Sequence, residues 1–138
     1  MKYLTLEEAG VFHGHIGPFL TIGYRAGEYA REVLKPVNEH DLIAEVELPM
    51  EIPYTCILDG IQCSSKCTLG KMNITAIKSP EKRIKISFKS RSSGVKLTME
   101  VYNEVINEVS KIKDLNEASR FIINLPLERL FKVSIERS

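Results

Sequence analysis

Apolar residues recur with helical spacing near the start of the chain. Thr5 and Glu8 have the spacing of a capping box and predict a short helix that the glycines at 10 and 14 end. Pro18 suits the first position of a longer helix, which ends before Pro36. One face of this helix is apolar and rich in small residues: Phe19, Ile22, Gly23, Ala26, Gly27, Ala30, Val33 and Leu34. The small side chains predict close packing against a sheet or a second subunit.

A two-residue alternation then predicts four strands. From Leu42 to Met50, apolar residues alternate with Glu45 and Glu47, which is typical of a strand with one buried face. The segments 83–88 and 95–101 alternate in the same way, and 72–77 also has the pattern of a strand. Turn residues at Pro80 and at 92–94 separate these segments. We therefore expect the segments 42–50, 83–88 and 95–101 to be antiparallel neighbours.

Helical patterns occupy the remaining segments. Residues 57–65 predict a short helix, 105–112 and 115–123 predict two more, and 127–131 form one helical turn before a terminal strand at 132–135. Helices gathered on an antiparallel sheet make an α+β domain. Because the chain contains no repeat and no linker rich in glycine or serine, we expect a single domain over residues 1–138.

The composition excludes fibrous and disordered classes of protein. The 138 residues are 43% apolar and 27% charged, and a chain of this length can bury a core without disulfides. Nineteen basic against eighteen acidic side chains give a net charge of +1, so no overall field attracts nucleic acid or a membrane. The sequence has no apolar run long enough for a membrane span and no signal-peptide pattern. These features predict a cytoplasmic protein.

One segment departs from this charge balance. Residues 78–96 carry seven basic side chains and one acidic residue, Glu81. A basic sheet face can contact phosphates. However, Glu45 and Glu47 can pair with it across strands, and no aromatic platform for bases accompanies it. We interpret the segment as a solvated or paired sheet face, and nucleic acid as an improbable partner.

Candidate chemistry begins at His13-Gly14-His15. In a looped backbone, a flexible Gly14 can direct both imidazoles toward one point. Imidazoles there can bind a metal or transfer a proton near neutral pH. The alternative, that either histidine only caps the helix or packs in a loop, is about equally favoured.

Three cysteines form a second candidate cluster. An odd number of thiols within residues 56–67 suits a reducing compartment. Cys56 lies at the entrance of the predicted helix, where the helix dipole lowers the pKa of a thiol. Asp59, Cys63 and Cys67 follow at spacings of four, close to one helical face. The spacing is not that of a zinc knuckle, so buried structural thiols are the alternative. Two imidazoles with two thiolates are nevertheless a set that a metal such as zinc selects.

The order of these motifs resembles the FmdE family, which takes its name from formylmethanofuran dehydrogenase. The family pattern has an HGHxCPG opening, a GYR helix, CxxDAIQ, GCTxGKGN and a C-terminal PxEELF segment. This chain supplies, in the same order, His13-Gly14-His15, Gly23-Tyr24-Arg25, Cys56 with Asp59, Ile61 and Gln62, Cys67-Thr68 with Gly70, Lys71 and Asn73, and Pro126 with Glu128, Leu130 and Phe131. The resemblance runs over nearly the whole chain.

The resemblance implies an α+β core domain that forms an intertwined homodimer, with a cleft of His and Cys residues able to hold a divalent metal, zinc in the first instance. It also implies an association with the tungsten or molybdenum enzyme that fixes carbon dioxide onto methanofuran, and so with larger redox enzyme subunits. Some relatives carry a C-terminal zinc finger. This chain has no cysteine after Cys67 and resembles the core-only branch.

Two departures from the family pattern affect the expected site. Gly17 stands in place of the family's cysteine, which removes one soft ligand. Cys63 stands where an apolar residue is expected, and Lys66 where a glycine is expected. Cys63 can replace the missing thiolate only if it turns toward the cleft. The expected metal ligands are His13, His15, Cys56 and Cys67. Complete loss of the metal is the alternative.

The chemistry of the side chains suggests roles for the remaining candidates. The candidate catalytic residues are Cys56 as a thiolate, His15 as an acid or base, and Asp59. Asp59 either orients an imidazole or is a simple charge at a helix N-terminus. Gln62 and Lys71 are candidate cofactor-binding residues, through an amide and through an ammonium facing an anionic group. Their alternatives are a satisfied buried backbone and a solvated turn lysine.

Two classes of function follow. In the first, the chain is a small metal-binding protein of one-carbon or molybdopterin-linked redox metabolism, whose His and Cys cleft acts on a small ligand. In the second, it is a non-catalytic dimeric accessory subunit that docks on a larger dehydrogenase. The sequence does not establish whether the chain is an enzyme.

Overall fold

The computed structural model describes residues 1–137, and the expected α+β class is confirmed. The helices are α1 (Leu6–His13), α2 (Pro18–Leu34), α3 (Cys56–Ser65), α4 (Asn103–Lys111), α5 (Leu115–Asn124) and α6 (Leu127–Leu130), with a short 3-10 helix at Leu69–Lys71. The strands are β1 (Leu42–Leu48), β2 (Ile74–Lys78), β3 (Lys85–Ser90), β4 (Lys96–Val101) and β5 (Phe131–Glu136). None of the helices in this range is long and apolar enough to cross a membrane.

The five strands form one sheet in the order β2-β1-β3-β4-β5. The expected antiparallel pairing is confirmed for β1 with β3 and for β3 with β4. The terminal strand β5 also pairs with β4 in the antiparallel direction. In contrast, β1 and β2 are parallel. The reason is that α3 and the 3-10 helix lie between β1 and β2 in the sequence. They return the chain to the end of the sheet at which β1 begins, so that β2 runs in the same direction as β1.

One row of charged side chains on the outer face of the sheet alternates in sign from strand to strand. Ala44 and Val46 are fully buried in the core, whereas Glu45 between them is exposed. In the register of the sheet, Glu47 lies opposite Lys85, and Lys85 lies opposite Glu100. This row supports the predicted pairing of Glu47 with the basic segment. In contrast, Glu45 lies opposite Ser87, and Lys89 lies opposite Lys96.

The small residues of α2 pack against α3. A Cβ placed on Gly23 would lie 2.0 Å from the carbonyl oxygen of Ile57, and one placed on Gly60 would lie 2.1 Å from the carbonyl oxygen of Leu20. Real atoms do not approach so closely, so the two backbones are in contact only because both helices carry glycine there. The sequence pattern predicted this close packing but not the helix that provides it.

Two polar contacts attach α5 to α2. The Arg25 guanidinium donates to the carbonyl oxygen of Ile122 at 2.8 Å, near the C-terminus of α5. The hydroxyls of Thr21 and Ser119 lie 2.7 Å apart in the buried interface. These contacts hold α5 beside α2, and the segment joining α4 to α5 is thereby kept near the N-terminus of α2.

Candidate functional site

The two histidines meet where α1 ends. His13 is the last residue of α1, and Gly14 follows in the left-handed conformation, with φ of 118°. This conformation is open to glycine at little cost and turns the chain back on itself. The ring centroids of His13 and His15 are 5.0 Å apart as a result. Gly14 thus brings the two imidazoles together, as the sequence predicted.

Asp59 in α3 contacts the first of these histidines. Its Oδ2 atom lies 2.6 Å from Nδ1 of His13, and the histidine side chain is largely buried. A carboxylate only accepts hydrogen bonds, so Nδ1 carries the proton, and Nε2 is left as the acceptor atom of a neutral ring. Of the two alternatives for Asp59, the geometry favours the one in which it orients an imidazole.

Both histidines and Cys56 line one cavity of about 290 Å³. The N-terminus of α2 forms one wall, with Gly17, Pro18, Phe19 and Leu20. The segment preceding α3 contributes Pro53 and Tyr54, and the opposite side is formed by Ile106, Val109, Ser110, Ile112 and Leu115. The walls are therefore mainly apolar, and the polar groups are few. A cavity of this size is at the small end of the range for ligand sites.

The wall from α4 and α5 is the part of the site that sequence reasoning missed. The helical spacing over 105–112 predicts a helix, but it does not indicate which of its residues face a ligand cavity. Ser110 and Ile112 face the cavity. The sequence carries no local signal for this wall, because the wall forms only when α5 packs beside α2.

Cys56 lies at the start of α3, as predicted, but the pKa of its thiol is not lowered. It is the first residue of α3 and is partly buried. Burial raises the pKa of its thiol, and the negative charge of Asp59 raises it further. The expectation that the helix dipole lowers this pKa is wrong, because desolvation and a nearby carboxylate both favour the neutral thiol. Cys56 therefore faces the cavity as a thiol at neutral pH.

Cys67 does not line this cavity. The helix ends at Ser65, and Lys66 adopts the left-handed conformation with φ of 66°. The predicted helical face of Asp59, Cys63 and Cys67 therefore does not extend to Cys67. Its thiol is fully buried in the core and donates to the carbonyl oxygen of Leu42 at 3.4 Å. Burial raises the pKa of this thiol as well.

Cys63 faces another side of α3. It packs with Ala9, Leu20 and Tyr24 in a small apolar cluster. Burial raises the pKa of its thiol, with a further contribution from Asp59. The structure therefore does not turn Cys63 into the place of the cysteine that Gly17 replaces.

The two predicted cofactor-binding residues lie away from the imidazoles. Gln62 donates from Nε2 to Oδ1 of Asp59 at 3.3 Å and accepts from the backbone N–H of Leu69 at 2.9 Å. Lys71 donates to the hydroxyl of Thr68 at 2.7 Å. Both residues line a second cavity of about 500 Å³ that Cys63 also borders. In the described part of the chain, they stand apart from the His13 cavity.

The donor set does not fit the four-ligand metal centre expected from the sequence. Within residues 1–137, no three His, Cys, Asp or Glu side chains are grouped as metal ligands. His13 and His15 share their cavity with Cys56, but Cys67 is held in the core. Zinc binding therefore stays a prediction.

One comparison with known proteins shows the family of this chain, and another shows its fold. A family profile described as "FmdE, Molybdenum formylmethanofuran dehydrogenase operon" matches residues 12–132. The crystal structure of a tungsten formylmethanofuran dehydrogenase FmdE-like protein from Syntrophus aciditrophicus is similar over 100% of this chain and 78% of that chain. The TM-score is 0.59 at 18% sequence identity, so this likeness shows the fold alone.

A curated relative is similar over part of its length. A probable S-adenosyl-L-methionine-binding protein of Archaeoglobus fulgidus is 29% identical over 104 residues. The match covers 71% of this chain but 27% of the relative. The chain therefore spans about a quarter of that protein's length.

Proposed function

Because the chain belongs to the FmdE family, we propose that it acts in the cytoplasm in association with a formylmethanofuran dehydrogenase-type enzyme, and that its own site is the cavity shared by His13, His15 and Cys56. The family profile spans most of the chain, and the fold is that of an FmdE-like protein. The three cysteines are free thiols, which suits a reducing compartment.

The proposed chemistry is the binding of a small ligand with proton transfer to or from it. The observation that carries this proposal is the 2.6 Å contact between Oδ2 of Asp59 and Nδ1 of His13 beside an apolar cavity. A carboxylate held in this way fixes the orientation of the imidazole and keeps the proton of the neutral ring on Nδ1. Nε2 of His13 can then accept a proton from a ligand and return it.

The other groups of the cavity set the kind of ligand. Cys56 presents a neutral thiol, since burial raises its pKa, and Ser110 adds a hydroxyl. The remaining walls are apolar side chains of α2, α4 and α5. We therefore expect a compact molecule with an apolar body and one group that exchanges a proton. The whole of S-adenosylmethionine, the ligand named for the relative, is a less suitable occupant at about 290 Å³.

NMR titration tests the ligand proposal. The probes are 2-methylpropanethiol, 2-methyl-1-propanol, isobutyramide and S-adenosylmethionine, and the readout is the shift of the His13 and His15 ring signals. Ile112→Trp fills the cavity and should abolish the shifts that a small probe causes. The matched control is Ile123→Trp, because Ile123 is 45% exposed and lies outside the cavity lining. If every probe shifts the His13 and His15 ring signals equally in wild type and in Ile112→Trp, the cavity is not the binding site.

Affinity purification tests the association. The tagged chain, expressed in its native host, should enrich the subunits of a formylmethanofuran dehydrogenase-type enzyme over a tag-only control, as measured by mass spectrometry. Absence of all such subunits at native expression level would contradict the association and leave the ligand proposal standing on its own test.

The non-catalytic accessory role is the second candidate, and one observation favours it. Val11 and Phe12, directly before His13, are 84% and 60% exposed. Exposed apolar side chains of this size suit a contact with another protein, either a larger subunit or a second copy of this chain. In an accessory role, Phe12→Asp should abolish capture of the partner, whereas Asp59→Ala should not.

Sedimentation velocity of wild type and Phe12→Asp tests the homodimer, which stays a prediction.

A further inference from the structure

Asp59 is itself held by a neighbour outside the cavity. Its Oδ2 atom accepts from His13 and its Oδ1 atom accepts from Nε2 of Gln62, at 2.6 and 3.3 Å. With both oxygens engaged, the plane of the carboxylate is fixed relative to α3. The side chain of Gln62 borders the second cavity, so it acts on His13 only through Asp59.

The orientation of the Gln62 amide is determined by a backbone group. Its Oε1 atom accepts the N–H of Leu69 at 2.9 Å, which turns the NH₂ group toward Asp59. A flipped amide would place two donors together at Leu69 and two acceptors together at Asp59. Leu69 N–H therefore selects the amide orientation that supports the carboxylate.

The turn that carries Leu69 is attached to the sheet. The side-chain oxygen of Asn73 accepts the N–H of Thr68 at 2.8 Å, and its amide donates to the carbonyl oxygen of Leu42, the first residue of β1. Asn73 is buried, at 2% exposure. Two groups of hydrogen bonds, joined by the backbone from Thr68 to Leu69, thus connect the start of β1 with His13.

We propose that Gln62 is a positioning residue, which, with the N–H of Leu69 as its reference point, holds Asp59 in the orientation that keeps the proton of neutral His13 on Nδ1. This inference rests on the proposed function of His13 and goes beyond it. It assigns the residue that makes Nε2 available to a ligand, and it places that residue outside the ligand cavity. A ligand-binding role for Gln62 is not needed.

The test measures which ring nitrogen of His13 carries the proton, by long-range ¹H–¹⁵N NMR at a pH where the ring is neutral. Leu69→Pro removes the N–H that orients Gln62. Proline suits this position, because Leu69 opens a 3-10 helix and Thr68 before it is extended. The ratio of Nδ1–H to Nε2–H should fall at least threefold in Leu69→Pro. Leu69→Ala keeps the N–H and should retain the wild-type ratio.

A second pair of variants acts on the side chain itself. Gln62→Met keeps the length of the side chain and removes both hydrogen bonds, so it should match Leu69→Pro. Lys71→Met alters the same turn without touching Asp59, and should leave the ratio unchanged. Retention of the wild-type ratio in both Leu69→Pro and Gln62→Met would overturn the proposal, as would an equal fall in Lys71→Met.

The tautomer measurement uses no ligand, so its result does not depend on whether the proposed function is correct. A cavity that binds no probe leaves the tautomer experiment fully interpretable. Conversely, a wild-type tautomer ratio in every variant removes the role of Gln62 while the probe titration still decides on the cavity. Asp59→Ala serves as the positive control, because it removes the acceptor and should shift the proton toward Nε2.

Discussion

Gly17 lies directly against the imidazole of His15. A Cβ at Gly17 would be 3.6 Å from both Nε2 and Cδ2 of that ring, which is ordinary van der Waals contact. The backbone at Gly17 is extended, with φ of −137° and ψ of 177°, a conformation that any residue adopts. The position therefore accepts a side chain without strain, and that side chain begins beside a potential ligand atom.

This geometry predicts that Gly17→Cys strengthens zinc binding. The new thiol would begin beside Nε2 of His15, and a thiolate with an imidazole is a pair that zinc prefers. We expect the affinity for Zn²⁺ to rise at least about tenfold over wild type, measured by competition with a chromophoric chelator.

Gly17→Ala is the control for this experiment, because it adds the Cβ without a ligand atom. Its affinity for zinc should equal that of wild type. An unchanged affinity in Gly17→Cys would show that these side chains do not converge on a metal.

The next prediction concerns the reactivity of Cys56. Burial and the charge of Asp59 both raise the pKa of its thiol, so the reactive thiolate is scarce at pH 7. Iodoacetamide should modify Cys56 more slowly than a small free thiol at pH 7, and the rate should increase with pH. Asp59→Asn removes the negative charge and should speed the reaction by roughly two- to fivefold.

Peptide mapping by mass spectrometry measures this rate at Cys56 separately from the two more buried thiols. Glu45→Gln removes an exposed carboxylate on the outer face of the sheet and should have no effect. Slower alkylation in Asp59→Asn would contradict the electrostatic explanation.

The regular elements were predictable from the sequence because their signals are local. The Thr5–Glu8 capping box is present as predicted, with both of its hydrogen bonds. The strand alternation over 42–48 and 96–101 matches buried and less buried positions in β1 and β4. Each of these signals depends on neighbours within one turn or one strand.

The arrangement of the site depended on features that periodicity does not encode. The left-handed backbone at Lys66 ends α3 and directs Cys67 into the core, although lysine is not a typical residue for that conformation. The contact of His13 with Asp59 spans 46 positions and needs α1 to lie against α3. The sequence predicted the imidazoles and the thiol of the cavity. Which of the candidate side chains lie together there is determined by the tertiary packing.

The close contact of α2 with α3 predicts a large cost for added methyl groups. A Cβ at Gly23 or Gly60 would lie 2.0 or 2.1 Å from a backbone oxygen, and backbone cannot move aside as a side chain can. Gly23→Ala and Gly60→Ala should each lower the free energy of unfolding by about 3 kcal/mol or more, the upper range for overpacking. Urea denaturation followed by circular dichroism measures the change.

Gly70→Ala is the matched control for these two variants. No atom lies within 4 Å of a Cβ placed there. Its free energy of unfolding should stay within about 0.5 kcal/mol of wild type. If all three alanine variants were equally stable, the two helices would not be in backbone contact.

The last prediction concerns Asp41, a buried carboxylate that joins the loop before β1 to the turn after β3. It accepts hydrogen bonds from the N–H of Val37 at 3.0 Å and of Ser92 at 2.8 Å, and also from the hydroxyls of Ser90 and Ser92. Burial by itself raises the pKa of a carboxyl group, but these hydrogen bonds outweigh it and hold the pKa of Asp41 below its ordinary value of 3.8.

A lowered folded pKa makes the protein less stable in acid. Below about pH 5, Asp41 begins to be protonated in the unfolded chain while it stays ionised in the folded chain. The free energy of unfolding therefore falls as the pH is lowered toward the folded pKa. The contribution of Asp41 is complete at neutral pH. Asp41→Asn should cost roughly 2 kcal/mol at pH 7, because it weakens hydrogen bonds to a charged acceptor. It should also flatten the dependence of stability on pH between about 5 and 3.

Urea denaturation at a series of pH values measures both effects. Asp114→Asn is the control, since Asp114 caps α5 through the N–H of Glu117 and asparagine caps helices equally well. This variant should keep the stability of wild type at pH 7. If Asp41→Asn lost stability in acid as steeply as wild type, the acid sensitivity would come from other carboxylates, and the hydrogen bonds to Asp41 would not favour its charged form.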